Sequence, residues 1–265
     1  MKKIIEKWYK RLDFPRAFDE PFYALLSECE ENEDILAESY APEKYDTAQN
    51  LLHYLFMCER TNRGYLEKGI DLDIFYSTMK DLPFYASIWS EIHGELCLAG
   101  EYDWLKRHLS MRLFRLGRLQ FCMAKCEHTI PEKSLFEGDN VIEIHIPAGE
   151  PLDKSACLAS VRAAKEFFAK FFPEFRYKHF TCDSWLLDTT LCELLRPDSN
   201  IIDFQGLFDI VARKKSDRIL RYIFRWDSKR ETVNDAICKS SFAKLVKERA
   251  LSGGDFYEAL GVLKS

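Results

Sequence analysis

The spacing of apolar residues changes near Met111, and this change constrains the fold more than any other feature of the chain. Before this point, apolar side chains recur with the period of an amphipathic helix. After it, residues 112–122 alternate polar and apolar side chains, as a half-buried strand does. The pattern predicts an α+β chain, with an N-terminal helical domain over residues 1–110 and a second domain over residues 111–265.

The N-terminal part is expected to contain helices at residues 4–12, 21–29, 45–66 and 81–100. Gly69 is placed to end the third helix, because glycine readily adopts the left-handed conformation that follows a helix. Pro83 lies near the start of the fourth helix, where proline is tolerated, and Gly100 is expected to end it.

The second domain alternates strands and helices. Turn residues beginning at Gly138 precede an alternating strand over residues 141–146, and Asp153 is a candidate N-cap for a helix that ends before Pro173. The further elements predicted are a strand at 177–186, a short helix at 188–195, strands at 201–211 and near 219–226, and a helix near 233–251. The helix that joins strands 141–146 and 177–186 implies that this strand pair is parallel.

Composition removes two classes of nucleotide-binding fold. Only 11 of the 265 residues are glycine, about 4% against a usual ~7%. The sequence contains no G-x-G-x-x-G, and its one G-x-x-x-x-G, from Gly64 to Gly69, is not followed by Lys-Ser/Thr. Residues 1–110 hold 13 Lys/Arg against 21 Asp/Glu, which argues against a nucleic-acid partner, since such binding depends on neutralising phosphates.

The cysteines and the N-terminus indicate a cytoplasmic protein. Nine cysteines is an odd number, and no secretory apolar segment follows Met1, so reduced thiols are expected. The longest apolar stretch, at residues 51–58, is too short to cross a bilayer, and no membrane partner is expected. The sequence carries no signal that fixes the oligomeric state.

The loop over residues 147–153 is a candidate anion site. It follows a strand of the predicted parallel pair and leads into a helix, whose N-terminal N–H groups can hold a pyrophosphate. Gly149 permits a close backbone approach, and Lys154 and Ser155 add donors in the first turn. The alternative is an ordinary capped helix after a tight turn.

Glu143 and His145 are the first candidates for catalysis. They share one face of strand 141–146, while Ile142, Ile144 and Ile146 occupy the other. A base that titrates near neutral pH can deprotonate an amine nucleophile before it attacks a carbonyl. The alternative is that both residues form the solvent-facing half of an edge strand.

A second group follows on strand 177–186. Asp183 could orient a histidine or an amine, and Ser184 or Cys182 could protonate a departing thiolate. The alternative places Trp185 in the core and makes Cys182 a small buried hydrophobe.

The motif formed by Cys122, Cys126 and His128 invites a metal interpretation. No second pair of ligands follows it, whereas a structural zinc usually has four. No metal is therefore expected.

Four blocks of sequence resemble bacterial acyltransferase-domain proteins that carry an N-terminal helical domain and a GNAT-like C-terminal domain. These blocks are LFRLGRLQF at 113–121, HIPAGEPL at 145–152, CDSWLLD at 182–188 and SNIIDFQ at 199–205. The resemblance implies a GNAT-like mixed sheet flanked by helices and acyl transfer from acyl-CoA or acetyl-CoA to an amine.

The resemblance also implies roles for particular residues. The loop after residue 146 occupies the place that binds the cofactor pyrophosphate, which assigns Ala148, Gly149, Lys154 and Ser155 to the cofactor. The other roles are predicted from the strand–loop–helix pattern and from the pairing of Glu143 with His145. Glu143 or His145 is expected to be the base, Asp183 to place the amine and Ser184 to assist the thiolate. The expected acceptor is a small-molecule amine or a peptide, with Trp185 binding the substrate.

Two other functions stay open from the sequence. The usual superfamily loop, Q/R-x-x-G-x-G/A, is replaced here by a loop with Gly149 alone. That difference allows a catalytically inactive GNAT-like module that binds a small ligand or peptide. A cysteine-dependent acyl carrier or hydrolase using Cys182 is the other alternative.

Overall fold

A sheet of six strands and an array of helices organise the chain in the computed structural model, which describes residues 1–29, 47–98 and 102–264. The helices are α1 Lys2–Arg11, α2 Asp19–Glu28, α3 Thr47–Lys68, α4 Leu72–Met79, α5 Asp81–His93, α6 Tyr102–Leu109, α7 Lys154–Phe171, α8 Asn200–Gln205, α9 Ile219–Ile223 and α10 Ser241–Leu251. The strands are β1 Leu113–Leu116, β2 Leu119–Lys125, β3 Asn140–His145, β4 His179–Ser184, β5 Phe208–Lys215 and β6 Tyr257–Leu263. The expected α+β class is confirmed.

The chain separates into two compact units, Met1–Arg115 and Leu116–Ser265. The boundary expected from the sequence, between residues 110 and 111, stays a prediction. Among the described residues, no helix combines the length and the apolar character that crossing a bilayer requires.

Aromatic side chains build the core of the first unit. Trp8 and Phe75 are fully buried with ring centroids 5.2 Å apart, and Tyr9 stacks on Phe22. The predicted helices at 4–12 and 21–29 correspond to α1 and α2. Their cohesion comes from burial of large apolar surfaces, each worth about 1.5–3 kcal/mol.

Two predicted helix ends in the first unit have different outcomes. Gly69 follows α3 with φ +67° and donates its N–H to Leu66, as expected for a C-terminal glycine. The helix that begins at Asp81 ends at His93, with Gly94 in the left-handed conformation, so the prediction that it continues to residue 100 is wrong. Gly100 itself lies outside the described residues.

The six-stranded sheet has the order β1-β2-β3-β4-β6-β5. Strands β3 and β4 are parallel, with Val141 opposite His179. Helix α7 joins them, and its N-cap Asp153 accepts a hydrogen bond from the N–H of Ala156. Its buried face packs Cys157, Val161 and Phe168, among others. The predicted parallel crossover and the helix ending before Pro173 are confirmed.

The predicted strand over residues 112–122 is wrong as a single element. Gly117 adopts φ +73° and divides it into β1 and β2, because only a residue without a side chain takes this conformation without strain. A Cβ at Gly117 would also lie 2.9 Å from Oγ of Ser160. The period-two alternation continues through the turn, which hides the turn from a pattern search.

The last quarter of the chain holds the other wrong predictions. The strand predicted at 201–211 is helix α8 followed by β5, and the strand near 219–226 contains helix α9. The helix near 233–251 is a 3₁₀ segment, Arg230–Asp235, followed after a break by α10. Strand β6 was not predicted, although it lies between β4 and β5.

Candidate functional site

Strands β3 and β4 separate at their carboxyl ends. Their backbones pair only from Val141 to Glu143 on one strand and from His179 to Thr181 on the other. Beyond that point β3 continues pairing with β2, and β4 with β6. A gap therefore opens between the two strands, where a ligand with amide groups could pair with the separated backbones. Open α/β sheets bind ligands at this kind of position.

Arg118 fixes the loop that follows β3. Its guanidinium donates from Nε to the Pro151 carbonyl at 2.8 Å, from Nη1 to Pro147 at 3.0 Å and from Nη2 to Glu150 at 2.8 Å. The Arg118 side chain is in turn positioned by its own backbone, whose N–H donates to Oγ of Ser160 on α7 at 2.8 Å. Charge-assisted bonds of this kind are stronger than neutral ones, so the loop is held rigid by one cation.

The bound carbonyls determine which way the loop amides point. In a planar trans peptide the N–H lies opposite the C=O, so the amides of Ala148 and Leu152 point away from the guanidinium. No acceptor within the described parts of the chain takes the N–H of Ala148 or of Gly149. Gly149 has φ +94°, and a Cβ there would meet no atom within 4 Å. Backbone conformation, rather than crowding within the protein, therefore requires this glycine.

The first turn of α7 is already capped by a carboxylate. Asp153 accepts from the N–H of Ala156 at 2.9 Å and from the hydroxyl of Ser155 at 2.5 Å. These bonds hold the pKa of Asp153 below its usual value. Lys154 lies 3.9 Å from Oδ1 of Asp203 on α8. The structure thus brings Lys154 and Ser155 to the loop, but it gives Ser155 a capping role.

Glu143 and His145 lie together on one face of β3. His145 Nε2 is 3.4 Å from Oε2 of Glu143, and each side chain is 28% exposed. Thr181 on β4 and Cys122 on β2 are the register partners of Glu143, so their side chains share this face. Each side chain is partly exposed, whereas the Nε2 atom of His145 is itself buried. The separation of the two groups is longer than a well-formed hydrogen bond, as is common in sites without a bound substrate.

Asp183 lies on the same face of the sheet, at the end of β4. Desolvation raises the pKa of its carboxyl group, and Lys214 on β5, 3.8 Å away, opposes this effect. The side chain is nevertheless close to half exposed. The structure therefore pairs Asp183 with a lysine at the sheet face and leaves it accessible to a ligand.

Ser184 and Trp185 lie where β4 ends. The hydroxyl of Ser184 accepts a hydrogen bond from the N–H of Leu186 at 3.1 Å and so caps a short 3₁₀ turn. Trp185 is partly buried against the core cluster around Leu191, and its ring stacks on Tyr222 at 6.0 Å. Both side chains stand near Asp183 in sequence, but each also has a structural task.

Cys182 faces away from this group and is fully buried. Burial raises the pKa of its thiol far above the usual value, which disfavours the thiolate that a nucleophile or acyl carrier needs. Each of the nine cysteines carries a thiol rather than a disulfide bond. Among the residues that the structure describes, no group of three or more His, Cys, Asp or Glu side chains could hold a metal ion.

Three supporting residues were missed by sequence reasoning. Besides Arg118, Asp188 accepts from the N–H of Tyr257 at 3.0 Å, and Gln205 donates from Nε2 to the carbonyls of Leu186 and Asp188, each at 2.9 Å. These bonds fix the segment after β4. For Arg118, the available sequence signal is the turn glycine that precedes it, Gly117. Asp188 and Gln205 act through contacts between segments that are distant in the sequence, and such contacts have no local signature.

Comparison with known proteins places these features in a family. Residues 6–111 match the N-acyltransferase N-terminal domain, and residues 113–263 match the GNAT-like C-terminal domain. These matches confirm the resemblance to acyltransferases with a helical N-terminal domain and a GNAT-like C-terminal domain. No curated protein matches the chain.

Solved acyltransferase structures share the fold. One, in complex with decanoyl-CoA, is 22% identical with a TM-score of 0.79, over 98% of this chain and 86% of that chain. Another, with decanoyl-CoA and teicoplanin, is 22% identical with a TM-score of 0.76, over 98% and 87%. A mutant acyltransferase with octanoyl-CoA is 22% identical with a TM-score of 0.77, over 99% and 88%.

Proposed function

Because the chain belongs to the family defined by the GNAT-like C-terminal domain, we propose that it transfers an acyl group from acyl-coenzyme A to an amine. The observation that carries this proposal is the separation of β3 and β4 ahead of a rigid loop. Where the strands separate, their backbones can form hydrogen bonds with the amide groups of a ligand. The loop that follows β3 offers N–H groups that can bind an anion. Acyl-coenzyme A combines an arm with two amide bonds and a pyrophosphate, so it fits both features.

The cofactor contacts follow from this arrangement. The N–H groups of Ala148 and Gly149 hold the pyrophosphate, since oriented backbone amides form an anion-binding concavity. Lys154 adds a positive charge at the rim, whereas Ser155 acts through the cap of α7. The pantetheine arm lies between Ile144 and Cys182 and pairs with their strands. Structures of similar fold carry decanoyl-CoA and octanoyl-CoA, which favours a medium-length acyl chain over acetyl.

The transfer is direct. Glu143 or His145 takes a proton from the attacking ammonium, with or without a bridging water. The amine nitrogen then forms a bond to the thioester carbonyl carbon, and the C–S bond breaks. The departing thiolate takes the remaining surplus proton of the attacking nitrogen, which the hydroxyl of Ser184 relays, so that Ser184 ends as a hydroxyl. Asp183 holds the ammonium of the acceptor at the same face of the sheet.

The acceptor is an amine on a small molecule or a peptide. A structure of similar fold holds teicoplanin, and a glycopeptide is therefore the first acceptor class to try. Trp185 offers a partly exposed ring at the acceptor side. The thiol state of all nine cysteines is in keeping with a reducing compartment, where we place the reaction.

The test measures release of free coenzyme A from decanoyl-CoA with deacylated teicoplanin as acceptor. We expect at least one of the variants His145→Gln and Glu143→Gln to lower kcat by about 10²–10⁴, the usual contribution of a general base. The Kd for decanoyl-CoA, from calorimetry, should stay within about twofold in both. Lys165→Gln, on the exposed face of α7, is the matched control.

Two outcomes would contradict the proposal. Absence of decanoyl-CoA binding removes the cofactor role, and unchanged kcat in both variants removes the base. Tight binding without turnover across a panel of amines would instead favour the catalytically inactive binding module, for which Trp185→Ala should weaken ligand binding and His145→Ala should not.

A further inference from the structure

Charged side chains from β4, β5 and β6 lie together on one face of the sheet. Asp183 on β4 is the register partner of Leu260 on β6. Glu258 precedes Leu260 by two residues, so it points to the same face, and its own register partner is Lys214 on β5. Arg218 follows β5 and donates from Nη1 to Glu258. Two carboxylates and two cations therefore form one connected group beside the place where we put the acceptor amine.

Glu258 is the fixed member of this group. Its side chain is only 5% exposed, and Arg218 lies 2.6 Å from its Oε1. A charge-assisted hydrogen bond of this length is among the stronger ones in proteins. Arg218 thus balances most of the charge of Glu258, and the second carboxylate oxygen, Oε2, faces Lys214.

Lys214 is the mobile member. Its Nζ lies 3.7 Å from Oε2 of Glu258 and 3.8 Å from Oδ2 of Asp183. Both distances exceed that of a well-formed hydrogen bond, and the side chain of Lys214 is 65% exposed. Because an exposed ion pair contributes little to stability, it is easily separated. The ammonium of Lys214 can therefore leave Asp183 and still lie beside a carboxylate, that of Glu258.

The charges leave room for one cation at Asp183. Desolvation raises the pKa of Asp183 and Lys214 lowers it; Glu258, Arg218 and His128 are the other titratable groups that act on it. A partly desolvated carboxylate is stabilised by a nearby cation. With Lys214 in place the two carboxylates and two cations balance, so a further ammonium at Asp183 makes the group net positive.

We infer that the ammonium of Lys214 occupies, in the ligand-free protein, the place on Asp183 that the ammonium of the acceptor takes, and that the acceptor displaces it toward Glu258. The inference rests on the proposed function for the role of Asp183, and it adds Lys214 as a residue that determines specificity. It also defines the substrate class. The acceptor arrives as a protonated alkyl amine, because a hydroxyl group or an aromatic amine is neutral and cannot replace the ammonium of Lys214.

Derivatives of coenzyme A test this exchange without the natural acceptor. The sulfur is alkylated with chains of increasing length that end either in an ammonium or, as the neutral control, in a hydroxyl group. Calorimetry gives the Kd of each derivative, and the ratio of the two Kd values at each length measures the preference for a cation. We expect the unmodified protein to prefer the ammonium at one length or more.

The variants assign this preference to the exchange. Lys214→Met should increase it by about threefold to tenfold, because Asp183 is left without its partner. Lys214→Arg keeps the charge and should resemble the unmodified protein, and Asp183→Asn should abolish the preference. Lys215→Met is the matched control, since Lys215 is equally exposed on the same strand but pairs with Asp255. It should leave the preference unchanged.

A second measurement follows the displacement without coenzyme A. Reductive methylation with ¹³C-formaldehyde keeps the charge of the lysines, and the NMR signal of Lys214 is identified by its absence in Lys214→Arg. Butylammonium should shift this signal in the unmodified protein but not in Asp183→Asn, and sodium chloride at the same ionic strength should not shift it.

Three outcomes would overturn the inference. They are a preference for the ammonium that does not increase in Lys214→Met, a preference that persists in Asp183→Asn, and a Lys214 signal that butylammonium does not shift. If neither kind of derivative binds while butylammonium shifts the signal, the proposed function loses its cofactor and the exchange at Asp183 is retained.

Discussion

Replacing Arg118 tests how the loop after β3 is held. Arg118 is a buried residue with 7% of its surface exposed. Its guanidinium donates hydrogen bonds to three loop carbonyls, those of Pro147, Glu150 and Pro151. Hydrogen bonds to charged groups contribute about 1.5–3 kcal/mol each when desolvated. Glu150 and Pro151 are exposed, so water replaces part of what is lost.

We therefore expect Arg118→Gln to reduce the stability of the ordered loop by about 2–4 kcal/mol. Decanoyl-CoA must then bind from a population in which the loop is only partly ordered, which raises the apparent Kd. Since about 1.4 kcal/mol corresponds to a factor of ten, the full loss would weaken binding by about 30- to 700-fold. A tenfold to hundredfold weakening is expected, because part of the loss is absorbed by the initial stability of the ordered loop. Arg118→Lys keeps the charge but loses the fork, and it should behave more like the glutamine variant than like the unmodified protein.

Isothermal calorimetry gives the Kd, and thermal unfolding of the same samples shows whether the fold is retained. Arg162→Gln is the control, because Arg162 is exposed on α7, the same element that carries Ser160. A variant at Arg118 that is folded and binds decanoyl-CoA with unchanged affinity would refute the claim that this cation organises the site.

Three further predictions concern the turn, the thiols and the sheet face. Gly117→Ala should lower the melting temperature clearly more than Gly138→Ala, since both glycines have positive φ but only a Cβ at Gly117 meets an atom, Oγ of Ser160. Iodoacetamide should modify the exposed Cys192 at pH 8 and leave Cys182 unmodified by mass spectrometry, because burial raises the pKa of Cys182; rapid labelling of Cys182 would contradict its placement. Asp183 has a pKa raised in the folded state, so the stability linked to its neutral form is present at low pH and is lost as the pH rises through the folded pKa. Asp183→Asn should thus gain stability relative to the unmodified protein at pH 7 but not near pH 3, as measured by urea unfolding.

The elements that could be predicted from the sequence are those whose signals are local. Helix α7 has an Asp153 cap, an apolar face and a following Pro173, and β3 has a clean alternation after a turn. These two elements define the crossover, and with it the position of Glu143, His145 and the loop. The place of these residues in the fold could therefore be predicted from the sequence, and their chemistry stays a prediction.

The elements that could not be predicted depend on distant contacts or on competing signals. Strand β6 contains Gly261, which is unfavourable in a strand interior, but a Cβ there would lie 2.8 Å from Leu187 and 2.9 Å from Phe208. Tertiary packing therefore requires glycine at position 261, and the same glycine makes the segment look unfavourable for a strand when only the sequence is considered. Competing signals also explain the error at α8. Ser199 caps this helix by accepting a hydrogen bond from the N–H of Ile202, but the run of apolar residues that follows favoured a strand in the sequence-based prediction.

The position of the bound acyl-coenzyme A tests the central claim most directly. Hydrogen–deuterium exchange, measured by mass spectrometry with and without decanoyl-CoA, reports which backbone amides gain protection. We expect protection in peptides that cover residues 144–157 and 182–186, where the strands separate and the loop presents its amides, and a smaller change in the same peptides of Arg118→Gln. Binding of decanoyl-CoA with no protection in either segment would contradict the account.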